Sequence, residues 1–188
     1  MAPRKETIQI TRRKIMDSFW ELFNSNELKN ITVGKITKQA HLNRGTFYQH
    51  FNDIYDLLEQ MEQQLIDLLK ENVISLLKEG VPENLEEFSK VCSKVFQKYN
   101  KKLYLLFRND PSFGEKIKNE MYPVLEAANL LPENFPYKNY VMTFGFYSML
   151  NMINYWYENP ENISPEELVY INQTLLLKGI SGFSKKER

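Results

Sequence analysis

Apolar residues recur at helical spacing along the whole chain, and no stretch alternates at a period of two. Ile15, Phe19, Leu22 and Phe23 form one stripe, which predicts a first helix from about Lys5 to Asn24, with Arg12, Arg13 and Lys14 on its other side. Asn24-Ser25-Asn26 ends it. Thr32 is placed to cap a second helix whose Val33, Ile36 and Ala40 face inward. After a break at His41-Leu42, Asn43 can cap a third helix ending near His50, and Asp53 a fourth. The fourth keeps its repeat from Ile54 to Leu76 and stops at Gly80-Val81-Pro82. Further helices are predicted over 83–99, 101–109, 112–129, 137–158 and 165–182. The expectation is an all-α chain of about nine helices. Residues 1–52 would form a three-helix helix-turn-helix domain, joined by the long fourth helix to a helical domain over 53–183, with a solvated tail at 184–188.

Charge adds a second signal. The 188 residues carry no net charge, but residues 1–50 hold nine Lys and Arg against four acids, leaving 15 and 20 for the remainder. A basic head on an acidic body suggests that the head meets a polyanion. Ile31 to Phe51 contains Lys35, Lys38, Arg44 and His50 and no acid at all. Two short helices across a tight break suit the major groove, with the start of the second nearest the base edges. Asn43, Arg44, Thr46, Tyr48, Gln49 and His50 then point outward, over an inward Phe47 and Phe51. Arg44 offers paired donors to guanine, while Thr46, Tyr48 and His50 suit phosphate oxygens. Lys35 and Lys38 lie where the second helix would cross the backbone, and the helix starts at Thr32 and Asn43 present N–H groups to phosphates.

Asn139 to Tyr157 has no charged residue. As a helix it is about 28 Å long at ~1.5 Å per residue, near the length of a membrane span. Asn151 and Asn154 in mid-run argue against that reading, and for a helix covered on two sides. One side would meet its own domain. The other would meet a second copy through Gly145, Ser148, Met152 and Trp156, beside Leu168, Ile171 and Leu175 of the last helix. An isologous dimer sets two recognition helices roughly 34–36 Å apart and predicts an inverted-repeat site on double-stranded DNA.

An enzyme is disfavoured by inventory. Both histidines fall in the helix-turn-helix, the lone Cys92 sits between Val91 and Val95 as a buried small hydrophobe, and there is no phosphate-cradling glycine loop and no HExxH. No metal site or cofactor is expected. The polar, basic start MAPRKETIQITRRK is unlike a signal peptide, which with the single cysteine suggests the cytoplasm.

From Ile31 to Leu58 the chain resembles the N-terminal domain of the TetR family of transcriptional regulators. The resemblance rests on the Thr32-initiated helix with Ile36 and Ala40, on Arg44-Gly45-Thr46-Phe47-Tyr48-Gln49-His50-Phe51, and on Tyr55-Asp56-Leu57-Leu58. It implies a bacterial, homodimeric repressor in which Arg44 reads bases, Thr46, Tyr48 and His50 touch phosphates or base edges, and Gln49 lies at the groove. It also implies a ligand-binding body, for which Phe96, Tyr99, Phe107, Tyr122, Phe144 and Tyr147 are the aromatic candidates, taking a small, mostly apolar effector. The alternative is a DNA-binding member without such an effector, controlled by a protein partner or acting constitutively. The sequence departs from the family twice. His41 stands where the turn has glycine, at a position suited to positive φ, and Ile54 stands where a phosphate-binding lysine is usual. Lys35, where an acid is common, offsets the second departure.

Overall fold

Ile15, Phe19 and Phe23 are buried on one face of the first helix, as their spacing predicts, and Leu22 is half-buried beside them. The computed structural model describes residues 2–78, 85–127, 134–159 and 163–179. Among these are eight α-helices and no strand: α1 (Ala2–Ser25), α2 (Val33–Gln39), α3 (Arg44–Tyr48), α4 (Ile54–Lys78), α5 (Leu85–Asn109), α6 (Phe113–Ala127), α7 (Lys138–Glu158) and α8 (Pro165–Lys178). A 3-10 turn, Leu28–Asn30, links α1 to α2. The expected stops at 80–82 and 131–133, and the tail at 184–188, lie outside the described residues, as does the side chain of Cys92.

One expectation needs correction. The segments 83–99 and 101–109 are not two helices, because α5 runs unbroken through Asn100. Neither proline nor glycine stands at the supposed break, and asparagine alone costs a helix only a few tenths of a kcal/mol, roughly. Burial carries the stripe straight across it through Phe96, Tyr99, Leu103 and Leu106.

The chain divides into two compact units, Met1–Leu65 and Ile66–Arg188. In the first, Ile15, Phe19, Ile36, Phe47, Phe51, Leu57 and Met61 form the core, every one of them 2% exposed or less. Phe19 meets Phe23 with ring centroids 5.1 Å apart, and Phe47 meets Phe51 at 5.6 Å. Such aromatic contacts bury much area for little rotamer entropy, which suits a small unit.

In the second unit α5 packs against α7 and α8, and α7 against α8. Phe96, Ile153, Leu168 and Val169 make a buried cluster, flanked by Met149, Met152, Trp156, Tyr157 and Ile163. Tyr157 stacks on Tyr104 at 4.1 Å and donates to the Asn100 side chain. Its burial, with Tyr104 alongside, pushes the phenol up to about 12. Ser164 and Glu167 form a reciprocal capping box at the start of α8, at 3.2 and 2.6 Å, ahead of Pro165 in the first turn. The Asp110-Pro111-Ser112 connection is held by the Asp110 carboxylate, which accepts from the Ser112 N–H (2.8 Å), the Ser112 hydroxyl (2.7 Å) and Lys116 Nζ (2.9 Å). Among the described residues no helix is long and apolar enough to cross a membrane.

Candidate nucleic-acid interface

The Thr32 side chain caps α2, accepting the Lys35 N–H at 3.3 Å. Its far end closes by a left-handed turn. The His41 N–H donates to the Lys38 carbonyl (3.3 Å) and the Leu42 N–H to the Thr37 carbonyl (2.9 Å), with His41 at φ 56°. This is a Schellman closure with histidine in the place where glycine is unstrained. The sequence-level expectation of a positive φ there holds.

Asn43 then starts α3. Its side-chain oxygen accepts both the Thr46 N–H (2.7 Å) and the Thr46 hydroxyl (3.0 Å). Gly45 leaves room for this cap, since a Cβ there would stand 3.3 Å from Asn43 Oδ1. The helix is five residues long, far too short to persist alone, so the cap and the buried Phe47 and Phe51 hold it. Arg44, Gly45, Tyr48 and Gln49 are exposed with Asn43, and Thr46 and His50 are half-buried. Tyr48 is 57% exposed, and its ring stands edge-on to Phe47 at 5.6 Å, so the phenol projects from a fixed base. Lys38 is exposed, and so is Lys35, whose Nζ donates to the Asn30 carbonyl at 2.8 Å. The expected residues from Thr32 to His50 thus occupy one continuous α2-turn-α3 segment.

The sequence did not single out three residues that shape this face. Arg12 was placed on the outer side of the first helix. In the structure its guanidinium lies over the Phe51 ring, 4.7 Å from the centroid, and donates to Gln60 at 2.5 Å. Asp56 accepts the Asn52 N–H (2.7 Å) and the Gln60 amide (2.5 Å). Those hydrogen bonds, the Asn52 one foremost, hold its carboxyl below its ordinary value. Asp53, as expected, caps α4, accepting the Tyr55 and Asp56 N–H groups at 2.8 Å each. The start of α4 therefore presents two carboxylates and a half-buried Ile54, with no cation at that position. The third residue is Gly34, against which the Arg44 side chain lies.

In the second unit Phe96 and Tyr99 are buried, Phe96 against Trp156 at 5.9 Å. Phe107 is half-buried on Phe113 at 5.1 Å. Tyr122 donates to Asn139 at 2.6 Å, and Tyr147 to Glu115, with Lys118 Nζ 5.4 Å from the Tyr147 ring. Phe144 is 62% exposed and shares its side of α7 with exposed Tyr140, Val141 and Tyr155. Of the residues assigned to subunit contact, Met152, Trp156, Leu168 and Ile171 line a cavity of about 340 Å³ with Asn151, Tyr155, Asn159 and Ile163. Ser148 hydrogen-bonds Asn172 at 3.0 Å, Gly145 lies in ordinary contact with Leu176, and Leu175 is exposed.

Residues 15–61 match the family model of bacterial regulatory proteins, tetR family. The HTH-type transcriptional regulator AcrR of Shigella flexneri is 35% identical over 57 residues, a match that spans 30% of this chain and 26% of that protein. Solved structures share the fold over most of the chain. A TetR transcriptional regulator from Streptococcus agalactiae has a TM-score of 0.64 at 24% identity, covering 92% of this chain and 97% of its own. The fatty acid degradation regulator FadR from Bacillus halodurans has a TM-score of 0.71 at 19% identity, covering 90% and 96%. FadR from Thermus thermophilus, a transcriptional repressor solved in complex with lauroyl-CoA, has a TM-score of 0.54 at 23% identity, covering 90% and 94%. The capped α3 helix and the left-handed turn before it both lie inside residues 15–61, the stretch that matches the model of bacterial regulatory proteins, tetR family.

Proposed function

We propose that the protein is a cytoplasmic homodimeric repressor that sets α3 into the major groove of an inverted-repeat operator and leaves it when a small, mostly apolar effector binds the second unit. The observation that carries this reading is the outward face of α3. Arg44, Tyr48 and Gln49 are exposed on a helix whose other face is fully buried, with no acid between Ile31 and Phe51. Arg44 and Gln49 serve base edges, while Tyr48, His50, Thr46 and Lys38 serve phosphates. Homodimerisation is supported by the exposed aromatic side of α7, since a monomer gains nothing by keeping Tyr140, Phe144 and Tyr155 in water. Effector release is supported by the aromatic and methionine content of the second unit and by the neighbour solved with lauroyl-CoA. A regulator without an effector is favoured by one observation, the packing of Phe96 and Tyr99 into the core.

The test is capture of sheared genomic DNA by the purified protein, followed by titration of the retained fragments. Two chains per inverted repeat, with affinity falling steeply as salt rises, are expected. Retention of fragments without a shared repeat would refute the reading. Screening acyl and aromatic small molecules for release of the bound fragment then separates the effector-responsive regulator from the unresponsive one.

A further inference from the structure

Gly34 is the second residue of α2, inside a seven-residue helix where alanine would serve the backbone better. Nothing in its conformation asks for glycine, because Gly179 is the only glycine with positive φ among the described residues. Its surroundings do. A Cβ at position 34 would stand 2.9 Å from an Arg44 Nη, 3.6 Å from Cζ and 3.7 Å from Nε. The guanidinium fork therefore lies across the bare backbone of α2. Among the described residues no carboxylate pairs with Arg44, so no ion pair draws the fork away from this glycine.

We propose that Gly34 is a positioning residue for DNA recognition: by leaving its side of α2 bare, it sets the direction in which Arg44 presents its guanidinium. The inference rests on the reading of α3 as a recognition helix. A planar fork discriminates a base only when both N–H donors meet it together, so a displacement of the fork at one end changes what it selects. The obstacle in Gly34→Ala is the far end of a flexible side chain, so the fold yields readily and the arginine moves.

The experiment compares base preferences by in vitro selection for wild type, Gly34→Ala, Arg44→Ala and the double variant. The Arg44 Nε–H resonance is recorded alongside in the free wild type and Gly34→Ala proteins. Gly34→Ala is expected to melt no lower than wild type, to shift that resonance, and to lose roughly 5- to 100-fold discrimination at the position that Arg44→Ala also relaxes. In the Arg44→Ala background the glycine substitution should add nothing. An unchanged preference profile and resonance in Gly34→Ala, or a change that persists without Arg44, would overturn the positioning role while leaving the recognition helix intact. Absence of any enriched sequence with wild type would overturn the recognition reading itself, and this proposal with it.

Discussion

Asn43 separates the folding role of the interface from its DNA-binding role, because two substitutions move them differently. Its side chain is the only side-chain cap of a five-residue helix and also holds the Thr46 hydroxyl. Asn43→Ala removes both bonds and should destabilise the first unit by about 1 kcal/mol, within a range of roughly 0.5–2. Asn43→Asp keeps the cap, and its charge favours the helix start. It also sets a negative charge on the face meant for phosphate. At ~6 Å and an effective dielectric constant of about 20–80, the repulsion is ~0.7–3 kcal/mol, or roughly 3- to 100-fold in affinity. Stability is measured by urea unfolding followed at Trp20 in a Trp156→Phe background, so that the signal reports the first unit alone. Binding is measured by fluorescence anisotropy on captured DNA. The alanine variant should lose stability and affinity, and the aspartate variant affinity only. An alanine variant as stable as wild type refutes the cap, and an aspartate variant with full affinity refutes the DNA face.

Three further outcomes follow from the same geometry. His41→Gly relieves a left-handed histidine and should raise the stability of the first unit by about 1 kcal/mol, read from the same Trp20 transition. Burial alone would raise the Asp110 carboxyl, but the Lys116 and Ser112 hydrogen bonds outweigh it and hold it at about 2. With a depressed folded value, this contribution is complete above about pH 4 and is lost as pH falls toward 2. Asp110→Asn should therefore destabilise the second unit near neutral pH by on the order of 1 kcal/mol after solvent screening of Lys116, and the gap to wild type should close in acid. Phe144→Glu puts a charge on the exposed side of α7 and should yield a monomer of unchanged helix content by analytical ultracentrifugation, with at least ~10-fold weaker binding to an inverted repeat.

Local chemistry was legible in the sequence where one side chain and its neighbours decide the outcome. Thr32, Asn43 and Asp53 cap the helices that follow them because a short polar side chain can reach the N–H groups two or three residues on. The strained turn at His41 was legible through the resemblance, because the histidine stands where the resembled turn carries glycine. The false break at Asn100 came from giving a polar residue the weight of a proline or glycine. Contacts between distant segments were not legible. Arg12 and Gln60 lie 48 positions apart, and a helical wheel drawn for α1 alone puts Arg12 in water. Gly34 reads as an ordinary weak point of a short helix until the fold lays Arg44 across it. In the second unit the aromatic residues announce a core, but their spacing does not tell a packed Phe96 from an exposed Phe144.

The central claim, that α3 reads DNA sequence, is tested most directly by selecting DNA from a random library with wild-type protein and Tyr48→Ala in parallel. Tyr48 is 57% exposed, so its removal leaves the core of the first unit in place. The account predicts that wild type enriches an inverted repeat with half-sites about one helical turn apart, and that Tyr48→Ala does not. Equal enrichment by both proteins, or none by wild type, would contradict it.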